Sequence, residues 1–143
     1  MREIGLADVE READRQVLRL KQWGVEPGQS IGWLGLNSLE GLGLLYACGH
    51  VGARFVPLNW RLAAPELADI AVHAGLQRLL HDPALATLAQ DVLNLISLPL
   101  PIAEGHREGD WMVVYTSGTT GRPKGAIHTV EGMRDRKSTR LNS

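Results

Sequence analysis

The sequence predicts an α/β fold: a partial, mostly parallel sheet with helices on both faces. Three observations carry that prediction. Short apolar runs of strand length alternate with segments of helical period. Glycine and proline punctuate the places where those helices end and begin. Successive strands are separated by enough residues for a crossover helix, which parallel pairing needs and a hairpin does not. Such crossovers are right-handed and lay their helices against the sheet. At 143 residues the chain has the length of one domain.

Taken in order, Leu6, Val9, Ala13, Val17, Leu20 and Trp23 step by three and four with charged residues between them, which predicts an amphipathic helix stopped by Gly24. Glu26-Pro27-Gly28-Gln29 supplies turn chemistry before the apolar run Ser30 to Leu36, read as a buried strand. Asn37, three residues before Glu40, resembles a capping box and starts a helix reaching about His50. That helix is apolar nearly all round and so needs cover on most sides. Arg54 to Leu58 reads as a strand ending at Pro57-Leu58. The next helix has Pro65 in its first turn and Gly75 just past its end. Gln77 to His81 reads as a strand and Pro83 to Gln90 as a short helix. Val92 to Ile102, with Pro99 and Pro101, holds one strand at most. Trp111 to Tyr115 is a strand, succeeded by a glycine-rich turn and a return run, Ala126 to Thr129.

Composition removes several function classes. With 44% hydrophobic and 22% charged residues the chain is an ordinary folding sequence. Its net charge of -1 provides no field to draw nucleic acid or an anionic membrane. The densest apolar stretch, Leu39 to Ala47, is far shorter than the roughly 20 residues a membrane span requires. One cysteine, Cys48, excludes an internal disulfide, and no signal-peptide pattern opens the chain, so a cytoplasmic location is the expectation. Residues 134–143 carry Arg134, Arg136, Lys137 and Arg140 against Asp135 alone and show no periodicity. They read as foreign sequence similar to a cloning scar. The expected organisation is therefore residues 1–133 as the folded part and 134–143 as a non-native tail.

Residues 115–125 concentrate the chemistry. Thr116, Ser117, Thr119 and Thr120 offer hydroxyls, Gly118 and Gly121 let the backbone turn its N–H groups toward one point, and Lys124 adds a mobile positive charge. Donors of this kind gain strength when the acceptor is ionised, so the segment suits phosphate. A Walker A loop is the obvious rival, but from Gly118 its second glycine falls on Pro123 and its hydroxyl on Gly125. Ala126 to Thr129 also reads as a strand, where a Walker A loop opens a helix, so this loop joins two strands.

Thr116-Ser117-Gly118-Thr119-Thr120-Gly121-Arg122-Pro123-Lys124-Gly125 resembles, without a gap, the phosphate-loop signature of the AMP-forming acyl-CoA synthetase, luciferase and adenylation-domain superfamily. Gly24 to Gly28, Gly52 to Asn59 and Pro65-Glu66-Leu67 are similar in order and spacing to the segments that lead to that loop. The resemblance covers roughly residues 6 to 129. It implies the N-terminal part of an adenylate-forming domain and a reaction in two halves. A carboxylate attacks the α-phosphate of ATP to give an acyl-adenylate and pyrophosphate, and a thiol, commonly coenzyme A, then displaces AMP. It further implies Mg²⁺ as a cofactor, a small carboxylic acid as substrate, and a place in metabolism such as that of fatty acids. Thr116, Ser117, Gly118, Thr119, Thr120, Gly121 and Lys124 would hold the β- and γ-phosphates.

The sequence departs from the family's pattern where a Thr-His pair is usual and Thr129-Val130 stands instead. The aromatic-Gly-x-Thr-Glu segment that serves magnesium, the ribose-binding aspartate and the C-terminal lysine are absent. The resemblance therefore implies an internal fragment of a synthetase, inactive alone and with no catalytic or metal-binding residue of its own. Two alternatives stay open: a phosphate-binding module without chemistry, and an adenylation domain that loads a carrier protein.

Other candidates read as structural. Gly41-Leu42-Gly43 lacks the third glycine of a dinucleotide fingerprint and lies inside a helix, so close packing explains it. His50, His73, His81, His106 and His128 show no metal-ligand spacing and read as surface or capping groups, with His128 a strand residue near the loop. Trp23, Trp33, Trp60 and Trp111 fall on four elements and read as core. Asp110 has no second acid to work with it.

Overall fold

The computed structural model describes residues 5–36, 38–102, 110–116 and 124–129, the backbone alone for Thr116 and 124–129. The elements run α1 (Leu6–Gln22), β1 (Ser30–Leu34), α2 (Leu39–Val51), β2 (Arg54–Leu58), α3 (Ala64–Ala74), β3 (Leu76–His81), a 3₁₀ turn (Pro83–Leu85) with α4 (Ala86–Leu93), β4 (Asp110–Thr116) and β5 (Lys124–Thr129). The strands lie in the order β3-β1-β2-β4-β5. β1 pairs with β2 and with β3 in parallel, β2 with β4 in parallel, and β4 with β5 antiparallel. This is the mostly parallel sheet the alternation predicts.

Two cores sandwich the sheet. Alternate strand residues point to opposite faces, so Ile31, Trp33 and Phe55 join Leu20, Leu44 and Ala47 beneath α1 and α2. Leu34, Val56, Leu58 and Val113 join Leu67, Ile70, Ala71 and Val92 beneath α3 and α4. All five residues of β1 are buried, as expected of a parallel strand covered on both sides.

Local chemistry accounts for the element ends. The Gly5 amide donates to Asp8 Oδ2 at 3.1 Å and closes the first turn of α1. Gly52 and Gly75 end α2 and α3 with φ of 82° and 68°, a left-handed conformation that costs glycine nothing. The cap of α2 differs from the reading on Asn37, which lies outside the described residues. Ser38 is the N-cap, its hydroxyl accepting from the Gly41 amide at 3.2 Å, because the hydroxyl one place later stands three residues before a free N–H. β1 stops at Leu34, two residues short of the apolar run, and Leu36 is exposed. No strand forms between Asn94 and Ile102, where the Leu100 amide donates to Leu76 O.

The glycines of α2 are close-packing residues, as read. A Cβ on Gly41 would lie 2.6 Å from Trp33 Nε1, and one on Gly43 would lie 2.4 Å from Glu12 Cγ. The cover on α2 is less complete than its composition demands, since Leu42 and Tyr46, one turn apart, are exposed. The tryptophans divide as well. Trp33 and Trp111 are buried, Trp23 is half-buried between the guanidinium groups of Arg19 and Arg78, and Trp60 is exposed beneath Arg61. The core reading fails at Trp60, which stands in the connection between β2 and α3, outside both packed layers.

Candidate functional site

Thr116 is the last residue of β4 and Lys124 the first of β5, and their backbones are antiparallel partners. The seven residues 117–123 therefore bridge two points about 5 Å apart, the spacing of opposed residues in such a ladder. Ser117, Gly118, Thr119, Thr120 and Gly121 lie outside the described residues, as do the side chains of Thr116 and Lys124. What the fold supplies is the base of the loop. It leaves the carboxyl end of a parallel strand, the edge at which open α/β sheets bind ligands, and returns as a strand. A Walker A loop would open a helix here, so the geometry agrees with the sequence in rejecting it.

Strand β4 is pinned from both faces. On one, the Trp111 indole N–H donates to Leu45 O of α2 at 2.6 Å, and the ring meets Tyr46 at a centroid distance of 5.7 Å. On the other, Tyr115 Oη and His73 Nδ1 of α3 share a hydrogen bond of 2.7 Å. Their rings meet edge to face at 5.4 Å and 86°. At the start of the strand Asp110, within β4 and not before it, is buried like Arg54 on the neighbouring β2. Burial pulls the Arg54 guanidinium below its ordinary range while the Asp110 charge opposes that pull. Asp110 thus balances a buried cation. Burial also raises the Tyr115 phenol above its ordinary value, with the Arg54 charge working the other way.

The other histidines lie apart from this pair. His50 lies in the last turn of α2, and His81 Nδ1 of β3 lies 2.9 Å from Asp82 O. His128 is described as a backbone partner of Met112, and His106 lies outside the described residues. Sequence reasoning missed His73 as the partner of Tyr115. A tyrosine inside a buried strand does signal that its hydroxyl needs a partner, but the pair is 42 residues apart. No group of three His, Cys, Asp or Glu side chains among the described residues could hold a metal ion, and no helix among them is long and apolar enough to cross a membrane. Beside α2, at the same sheet edge, lies an apolar cavity of about 500 Å³ lined by Trp33, Leu36, Leu42, Phe55, Pro57 and Met112.

Comparison with known proteins agrees with this architecture. The chain is 36% identical over 135 residues to a feruloyl-CoA synthase of an Amycolatopsis species, a match covering 86% of this chain and 28% of that protein. It is 33% identical to an indoleacetate–CoA ligase of Aromatoleum aromaticum, covering 88% of this chain and 30% of that one. Among solved structures it superposes on the amide bond synthetase McbA of Marinactinospora thermotolerans with a TM-score of 0.79 and 26% identity, over 92% of this chain and 31% of that one. The chain thus spans less than a third of these relatives. The family model of AMP-binding enzymes matches residues 2–140, nearly the whole chain, and the chain belongs to that family.

Proposed function

We propose that this chain is the phosphate-loop part of an ATP-dependent, AMP-forming acid–CoA ligase. The observation that supports the reading is that β4 ends at Thr116 and β5 begins at Lys124, antiparallel partners at the carboxyl edge of a parallel strand. Two relatives, named as a CoA synthase and a CoA ligase, support coenzyme A as the acceptor. In this reading Thr116, Ser117, Thr119 and Thr120 donate to the β- and γ-phosphates of ATP. Gly118 and Gly121 open the backbone to them, and Lys124 meets the charge that grows on departing pyrophosphate. A carboxylate attacks the α-phosphate, the acyl-adenylate forms, and the thiol of coenzyme A then displaces AMP. Magnesium would screen the phosphates when bound, and no described residue is assigned to it. The reading includes a cytoplasmic location and residues 134–143 as foreign sequence.

The test joins residues 1–129 to the remainder of the Amycolatopsis relative. The joined enzyme is expected to exchange pyrophosphate into ATP in the presence of an aryl or fatty acid, and the 143-residue chain alone is not. Lys124→Ala should slow adenylation by about 10²–10³, the worth of one donor aimed at developing charge. Thiolysis of pre-formed acyl-adenylate, which carries no pyrophosphate, should change less than about threefold. A joined enzyme that forms no adenylate with any acid, or a Lys124→Ala variant slowed equally in both halves, refutes the assignment.

A further inference from the structure

We infer that His73 is a positioning residue for the phosphate-binding end of β4, acting through Tyr115. The inference rests on the ligase reading above. Among the described residues β4 pairs with β2 at Met112 and Phe55, three residues before Tyr115. Beyond that point the ladder partner of Tyr115 and Thr116 is β5, the edge strand. With ladder pairing to β2 at that one point, a side-chain hold on the helix layer adds to the fixing of the end that carries the loop. Tyr115 supplies it: its ring packs against the core beneath α3, and its hydroxyl meets His73 Nδ1 at 2.7 Å.

His73 is suited to that hold and to little else in view. It lies in the last turn of α3, which Gly75 ends, so its backbone is fixed by the helix and its cap. The edge-to-face contact fixes the ring plane, and the hydrogen bond then fixes the phenol along one direction. Tyr115 is covalently next to Thr116, the first hydroxyl of the phosphate segment, and catalytic donors must be held to within about half an ångström to be effective. Trp111 anchors the other end of the same strand to α2. The two tethers lie on opposite faces, so the strand can neither slide nor roll without breaking one.

The test uses two readouts and the variants His73→Ala, His73→Asn and Tyr115→Phe. In the 143-residue chain, amide hydrogen exchange is followed at Tyr115, Thr116 and Lys124 and, as reference, at Ile31 and Val56. His73→Ala should speed exchange at the first group about five- to tenfold, the worth of one intramolecular hydrogen bond, and at the second less than about twofold. Asparagine places an amide where Nδ1 stands, so His73→Asn should stay within about twofold of the native chain. Tyr115→Phe keeps the ring and should show an effect that His73→Ala does not add to. In the joined enzyme, His73→Ala should raise the KM for ATP about five- to tenfold while the KM values for acid and coenzyme A move less than about twofold. Uniform acceleration at all five amides, no acceleration, or equal rises in all three KM values overturns the inference. A joined enzyme inactive with native His73 overturns the ligase reading instead, and the exchange rates still decide the tether.

Discussion

Gly43 packs α2 directly against Glu12 of α1, and Gly43→Ala is expected to cost about 2 kcal/mol. A methyl there would stand 2.4 Å from Glu12 Cγ, 2.9 Å from Glu12 Cβ and 3.1 Å from the Glu12 carbonyl carbon. Cγ can swing aside, but the other two atoms belong to the helix, so α1 must shift. Overpacking of this kind costs about 1–3 kcal/mol. Replacing a mid-helix glycine by alanine returns about 1 kcal/mol of propensity. Moving Glu12 carries a further cost, because its Oε2 accepts from the buried Gln16 amide at 2.8 Å and from Arg15 at 2.8 Å. A buried amide that loses its acceptor forfeits about 1–3 kcal/mol. With roughly 0.3 kcal/mol per degree for a chain this long, the melting temperature should fall by about 6–7 °C. Urea unfolding measured by tryptophan fluorescence reports the loss directly. Glu12→Ala in the same background removes the nearest atom and should recover part of it, with a coupling energy of about 0.5–1 kcal/mol. A Gly43→Ala chain more stable than the native one would show that propensity alone acts and that the close approach of the helices is not maintained.

Three further outcomes concern single side chains. Ser38→Ala removes the hydroxyl that caps the Gly41 amide and should cost about 1 kcal/mol in urea unfolding, whereas Ser38→Asp should keep most of the stability. Cys48 is fully buried and burial drives its thiol well above the ordinary range, so a disulfide reagent at about pH 8 should leave it unmodified in the native chain and label it once urea is added. Because the folded state raises the Tyr115 phenol, its contribution to stability is complete below about pH 10 and declines as the pH climbs through that value toward the raised folded one. Unfolding free energies measured from about pH 9 upward should therefore fall, and Tyr115→Phe should flatten the fall.

The sequence by itself determined the architecture and pointed to the segment proposed to carry the chemistry. Apolar runs separated by Pro27-Gly28, Gly52 and Gly75 place the strands and helices, because period and backbone freedom are local properties written in neighbouring residues. The loop from Thr116 to Lys124 was equally legible, since its hydroxyls, glycines and cation are contiguous. So was the reason to reject a Walker A loop, which Pro123 and Gly125 decide without any fold. What only the tertiary structure decided is how β4, the strand that leads to that segment, is held. Tyr115 meets His73 across 42 residues, Trp111 meets Leu45 across 66, and Asp110 faces Arg54 from the next strand. None of these pairs shares a helix turn or a hairpin, so no spacing in the sequence announces them. The partial exposure of Leu42 and Tyr46 is of the same kind. Composition shows that α2 is apolar on all sides, but which side is covered depends on where the sheet and α1 come to rest, and that is a property of the packed chain.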